Sequence, residues 1–197
     1  MMLGQSAGVA AAVALKKKTD VQDVSYAQLK ERLLKQKQVV DFPEGYMIGE
    51  NLPAKLEKLP GIVLDDRVAK KKGLWKTSQN FRPYVGAGYI HDDNASKGEA
   101  SLTFETNIKK SGRYDLCLAY SPHPSRASNV PLSIEADGQS QKISVNQRLP
   151  LDSGLRFRTL KTLDLKAGQK VVIRLSNEDT DGFVVVDALQ LLNHAEK

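Results

Sequence analysis

Hydrophobic and polar positions follow one rhythm before about residue 40 and another after about residue 60. In Leu3-Gly4-Gln5-Ser6-Ala7-Gly8-Val9-Ala10-Ala11-Ala12-Val13-Ala14-Leu15, small and apolar residues run together without a turn signal. This predicts a tightly packing helix from near Gly4 to about residue 18. It ends in Lys16-Lys17-Lys18, where cations suit the negative end of the helix dipole. Nothing later in the chain looks like the partner such a helix needs, so its alanine-rich face is expected to be poorly packed or buried in a dimer. Ser25-Tyr26-Ala27-Gln28 has the form of a capping box, its hydroxyl accepting from a free amide while the glutamine reaches back. Tyr26, Leu29 and Leu33 then recur at helical spacing among Lys30, Glu31, Lys35 and Lys37, predicting a second helix to about Gln38.

Pro43, Gly45, Gly49, Pro53 and Pro60 give residues 41–60 the composition of a linker, with one irregular helical turn near residues 54–57. Beyond it the rhythm is that of strands. Candidates are 62–64, 84–90, 100–106, 112–121, 130–136, 141–145, 156–163, 170–176 and 183–192. Ser111-Gly112, Asp137-Gly138, Ala167-Gly168 and Asp181-Gly182 mark turns between them. Leu102 and Phe104 alternate with polar neighbours, as on a half-buried strand, whereas 170–175 and 183–192 are dense enough to be central or covered on both sides. The expected fold is mainly β: a jelly-roll-like antiparallel β-sandwich over residues 61–194, preceded by two short helices in residues 1–40.

The chain has 197 residues and a formal charge of +6, much of it in Lys16–Lys18, Lys70–Lys72 and Lys109–Lys110. Such runs are ordinarily solvated helix ends and loops, and otherwise attract anionic partners such as nucleic acid or acidic polysaccharide. Aromatics interleaved with basic residues, or a recognition motif, are absent, so nucleic acid is not expected. Cys117 is the single cysteine, which excludes an internal disulfide and a cysteine-rich metal site. Between Leu116 and Leu118 it reads as a buried thiol in an apolar strand. The amino terminus has no positive segment before its apolar run, unlike a secretion signal, and that run is too short to span a bilayer.

Several ordered groups stand in the β region: Trp75, Pro83-Tyr84-Val85-Gly86, Tyr89-Ile90-His91-Asp92 and Gly112-Arg113-Tyr114. They continue with Arg126-Ala127-Ser128-Asn129-Val130-Pro131, Val145-Asn146-Gln147 and Gly182-Phe183-Val184-Val185-Val186-Asp187-Ala188. In this order they resemble the golvesin and xanthan-lyase type of carbohydrate-binding β-sandwich. The resemblance implies a polysaccharide partner, acidic in view of the basic charge, and a parent protein working in the periplasm or outside the cell. Sugar sites combine aromatic faces with planar amides, carboxylates and arginine. Trp75, Tyr84, Tyr89, His91, Arg126, Asn129 and Arg148 supply that chemistry. The alternative for each aromatic is a place in the sandwich core or at its edge, and for His91 and His123 a structural hydrogen bond in a loop.

Gly4-Gln5-Ser6-Ala7-Gly8 resembles the start of a late helix in FAD-dependent oxidoreductases, whose amino end faces the flavin ring. The resemblance implies that these five residues would contact FAD in an intact enzyme, the helix end stabilising charge on the reduced ring. A dinucleotide fingerprint Gly-x-Gly-x-x-Gly is missing, since Gly86-Ala87-Gly88 lies in the β region with no helix after it. The chain alone is therefore expected to hold no cofactor and to need a missing flavin domain or partner chain.

Asp92-Asp93-Asn94 and the pair Asp179 and Asp181 offer oxygen ligands for Ca²⁺, although Asx-rich turns make the same clusters without metal. Asp187, set between Val186 and Ala188, must be paired if buried, and is expected to anchor Arg126 or loop amides. Gly4-Gln5-Ser6-Ala7-Gly8 has the spelling Gly-x-Ser-x-Gly but falls inside the predicted helix and not at a strand-to-helix elbow, His-Glu-x-x-His is absent, and no catalytic residue is assigned. Two readings result: a non-catalytic polysaccharide-binding module, or the end of an FAD-dependent oxidoreductase whose sandwich is structural or mediates protein interaction.

Overall fold

The structure, a computed structural model, describes residues 2–36, 54–152 and 156–196, with side chains from Ala7 onward. Most of the expected linker and the side chains of Gly4, Gln5 and Ser6 lie outside these residues. The chain divides into two compact units, Met1–Ile48 and Gly49–Lys197. No helix among the described residues is long and apolar enough to cross a membrane.

In the first unit, helix α1 (Met2–Lys17) packs on α2 (Tyr26–Lys35). Ala10, Val13, Ala14 and Leu33 are buried, so α1 has more of a partner within the chain than its sequence promised. Ala7, Gly8, Ala12 and Leu15 remain exposed. The capping box does not form: Ser25 makes no side-chain cap bond, and the Gln28 amide oxygen accepts from the Lys17 ammonium. A charge-assisted bond outcompetes the neutral one that the box requires. Helix α2 ends at Lys35, short of Gln38.

The second unit is a sandwich of short antiparallel strands. Its first sheet has the order β1 (Ile62–Asp65), β12 (Ala188–Asn193), β6 (Gly112–Ala119) and β9 (Arg158–Leu165). Its second has the order β2 (Lys70–Lys72), β5 (Ser101–Asn107), β10 (Lys170–Ser176), β7 (Val130–Ala136) and β8 (Gln139–Val145). A small third sheet joins β11 (Val185–Val186), β4 (Tyr89–His91) and β3 (Lys76–Ser78). Inward positions of the two large sheets interdigitate: Leu102, Phe104, Leu132, Ile134, Val171, Ile173 and Leu175 from one, Leu116, Leu118, Leu189 and Leu191 from the other. Cys117 is buried in β6, and a 3₁₀ turn occupies Leu56–Lys58.

Three expectations differ from what is observed. Of residues 84–90, only Tyr89–His91 pairs as a strand. Gly86 and Gly88 have positive φ, which turns the chain, and the amides before β4 go to Ala54 and Asp187 instead. The run 183–192 is split at Asp187, where the chain passes from the third sheet to the first. Lys70–Lys72 is an edge strand beside β5 and not a helix end or loop. Lysines on an edge strand deter pairing with foreign strands.

Candidate functional site

Loops at one end of the sandwich are tied together by buried polar side chains. Asp92, almost wholly buried, accepts from the amides of Asn94 (3.0 Å) and Val184 (2.9 Å), the Lys97 ammonium (2.8 Å) and the Asn177 amide (3.1 Å). Gln147, also buried, donates to the Val185 carbonyl (2.6 Å) and accepts from the Val185 amide (2.9 Å). Its side chain thus serves Val185 as a strand partner would. Gly182 packs against the backbone around Arg126; a Cβ there would lie 2.7 Å from the Arg126 carbonyl, which explains the glycine.

Arg126 is buried at the centre, donating to the Ser121 carbonyl (3.1 Å) and hydroxyl (3.3 Å). Its guanidinium lies 4.9 Å from the centre of the Phe81 ring, and the His123 ring sits 5.0 Å from Phe81 on a tilt of 48°. Phe81 remains 42% exposed. The Tyr89 hydroxyl ties down its backbone, accepting from the Phe81 amide at 3.3 Å. A partly exposed aromatic ring backed by a cation is a platform for the C–H face of a sugar.

The loop that carries Phe81 also walls a cleft of about 410 Å³ lined by Asp65, Asp66, Ser78, Gln79, Asn80 and Tyr89, among others. Hydroxyls, planar amides and carboxylates are the groups that bridge sugar hydroxyls. Asp65 accepts from Arg67 Nε (2.5 Å) and the Arg67 amide (3.1 Å). Burial, then the charge of Asp65, raises the Asp66 pKa to about 6. Burial raises Asp187 to about 8, against the Val85 amide that donates to its Oδ2 at 2.7 Å; Asp66 and Asp65 add to the rise. Asp187 Oδ1 has no partner among the described residues.

The structure brings most of the sequence candidates to this end of the molecule, as framework more than as open surface. Tyr84 and Tyr89 are 6% and 3% exposed, so their rings fill the core and offer no stacking face. Trp75 is half-buried against the core, its indole N–H donating to the Lys72 carbonyl (3.1 Å). His91 Nδ1 accepts from the Asp93 amide (3.1 Å), and burial lowers its pKa. Asn129 exchanges hydrogen bonds with the Asp179 carbonyl (2.8 Å) and the Asp181 amide (3.0 Å). Arg148 spans the Arg126 carbonyl (2.8 Å) and the Asp181 carboxylate (2.7 Å).

The oxygen clusters read as Ca²⁺ candidates are engaged in other bonds. Asp92 is saturated by its four donors, Asp93 pairs with Lys76 (2.6 Å), and Asp181 accepts from the Ser128 amide (2.6 Å) and hydroxyl (2.7 Å). Asp93, Asn94 and Asp179 have positive φ, the backbone of Asx-rich turns. Among the described residues no group of three or more His, Cys, Asp or Glu could hold a metal. Asp187 anchors a loop amide as expected, but the amide of Val85 and not Arg126. Gln79, Asn80 and Phe81 carried no sequence signal beyond one aromatic residue in a polar stretch.

Fold and loops together define a jelly-roll-like antiparallel β-sandwich with a polar and aromatic surface at one end. The chain belongs to the Golvesin C-terminal domain family, which it matches over residues 62–193. It is similar to a xanthan lyase from Bacillus sp. (strain GL1), 27% identical over 161 residues, covering 77% of this chain and 17% of that sequence. The solved structure of a Paenibacillus xanthan lyase aligns at 32% identity with a TM-score of 0.60, covering 66% of this chain and 13% of that one. A family 35 carbohydrate-binding module from Clostridium thermocellum aligns at 19% identity and a TM-score of 0.47, over 67% of this chain and 97% of the module. This chain therefore spans under one fifth of the length of either xanthan lyase.

Proposed function

We propose that the sandwich is a non-catalytic module that binds polysaccharide and brings an attached enzyme to it. The observation that carries this reading is the half-exposed Phe81 ring over the Arg126 guanidinium, beside a polar cleft of about 410 Å³. Kinship with xanthan lyases supports it, because their name places them on a polysaccharide. It also makes xanthan a natural first ligand and a setting outside the cytoplasm the natural one. Affinity electrophoresis of the full chain through gels holding xanthan, a neutral glucan or no polysaccharide tests the reading. Saturable retardation that survives high salt is expected. Unretarded migration of folded protein in every gel would overturn it, and retardation lost in salt would reduce it to charge attraction.

A second reading concerns the first unit. We infer that residues 1–40 derive from the closing segment of an FAD-dependent oxidoreductase. It is favoured by the position of Gly4 to Gly8 in the early turns of α1, and by the exposure of Ala7 and Gly8. A Cβ built on Gly8 would meet nothing within 4 Å, so this surface is open to a close partner. Any flavin would be held mainly by polypeptide outside this chain. A reading frame continuous upstream of Met1 and encoding Gly-x-Gly-x-x-Gly is the expected result; a frame without it contradicts the inference.

A further inference from the structure

The loop end is not the only surface with chemistry. On the outer face of the five-stranded sheet, strand register aligns five residues in one row: Lys70 opposite Thr103, Thr103 opposite Arg174, Arg174 opposite Ser133, and Ser133 opposite Lys142. Basic residues and hydroxyls therefore alternate across the sheet. All five face away from the core, because Leu102, Phe104, Leu132, Ile134, Ile173 and Leu175 occupy the intervening inward positions.

The charge on this face is uneven. Toward one end Glu105 is clamped by Lys70 (2.8 Å) and Lys170 (2.9 Å), and the charges offset one another. Toward the other, Lys72, Arg174 and Lys142 have no carboxylate partner among the described residues, and Arg174 donates only to the Ser101 hydroxyl (3.3 Å). There the face forms a cleft of about 420 Å³ lined by Lys72, Ser101, Ser133, Lys142, Arg174 and the single carboxylate Glu178, among others. None of the residues lining it is aromatic.

We propose that this face binds a carboxylate-bearing polysaccharide laid across the strands, an inference that rests on the module being a polysaccharide binder. Cations stand on alternate strands, and adjacent strands are about 4.8 Å apart, so the cations are spaced at roughly 10 Å. That is about the span of two linked sugar rings, which suits a chain with a uronate at every second sugar. The hydroxyls between them meet the intervening neutral ring. Single-stranded nucleic acid is disfavoured because its binding relies on aromatic stacking, and a flat sheet face cannot enter a duplex groove. Lysines on the edge strand β2 discourage aggregation whatever they bind, but Arg174 lies on the central strand, where edge protection is not needed.

The test is a calorimetric titration of the full chain with oligosaccharides of hyaluronan, which carry a carboxylate at every second sugar. Neutral cello-oligosaccharides and oligo(dT) are run beside them. The triple variant Lys72→Gln/Lys142→Gln/Arg174→Gln is expected to lose hyaluronan affinity by about tenfold or more, as three charge contacts disappear. The control Lys109→Gln/Lys110→Gln is expected to lose less than about twofold. Equal loss in both variants, or no loss in the triple variant, overturns the proposal, as does tighter binding of oligo(dT) through the same three residues. Wild-type chain that binds neutral sugars but not hyaluronan overturns this proposal and leaves the loop-end reading standing. Binding of neither glycan overturns this proposal, while the loop-end reading stands or falls on the xanthan and neutral-glucan gels.

Discussion

Gln147 offers a sharp test of the way the loop end is built. Its side chain is fully buried and satisfies both backbone groups of Val185, at 2.6 and 2.9 Å. Leucine has nearly the same volume but can make neither bond. Gln147→Leu would leave one N–H and one C=O buried without partners, each at about 1–3 kcal/mol, for a total of about 2–6 kcal/mol. Against a typical domain stability of about 5–15 kcal/mol this is a large fraction. Urea unfolding followed by Trp75 fluorescence measures it, because the single tryptophan lies in the sandwich. The midpoint should fall without a change in slope. Gln147→Glu sharpens the case: its carboxylate can accept from the Val185 amide but repels the Val185 carbonyl, so its deficit should shrink on acidification, when the carboxyl becomes a donor. A loss below about 0.5 kcal/mol in the leucine variant would refute the reasoning, since it would mean that Val185 finds other partners at little cost.

Three further outcomes follow from the same geometry. Because burial raises the Asp187 pKa from 3.8 to about 8, the folded state holds a proton that the unfolded state releases, so this group's contribution is intact below about pH 4 and lost as pH rises through about 8. Asp187→Asn should therefore gain thermal stability relative to wild type as pH rises across that window; parallel melting profiles would contradict this. Gly182→Ala would press a Cβ to 2.7 Å from the Arg126 and Ser125 backbone, and should lower stability by more than about 1 kcal/mol in denaturant titrations; an unchanged midpoint would show that this contact relaxes freely. Phe81→Ala should weaken binding of neutral sugars by about tenfold, the worth of one stacked aromatic, while leaving the melting temperature within a few degrees of wild type; unchanged affinity would remove Phe81 from the site.

The sandwich was legible where inward and outward residues alternate. Leu102 and Phe104 on β5 announce a strand with one face in the core, and the denser apolar run of β10 goes with its place in the middle of the five-stranded sheet. Strands β2 and β3 left no such trace, because Lys70–Lys72 and Lys76–Ser78 are paired by the register of their neighbours and not by an apolar face of their own. The need to partner Asp187 was visible in its apolar context, but the partner was not. Arg126 is turned toward Ser121 and Phe81, while positive φ at Gly86 accompanies the turn that presents the Val85 amide. The same effect governs the site. Tyr84 and Tyr89 have the chemistry of a sugar platform, yet the loop folds them inward and leaves Phe81 outside. Which aromatic faces solvent depends on contacts between residues far apart in the chain, such as Phe81 with Arg126, and no local pattern encodes them. The row Lys70, Thr103, Arg174, Ser133 and Lys142 is likewise assembled from five strands and exists only once the sheet has formed.

Polysaccharide binding is the central claim, and calorimetric titration of the folded full chain with a panel of neutral and uronate-bearing oligosaccharides tests it most directly. The account predicts saturable binding of at least one oligosaccharide that persists at high salt and weakens in Phe81→Ala. Absence of binding across the whole panel, in protein that melts cooperatively, would contradict it.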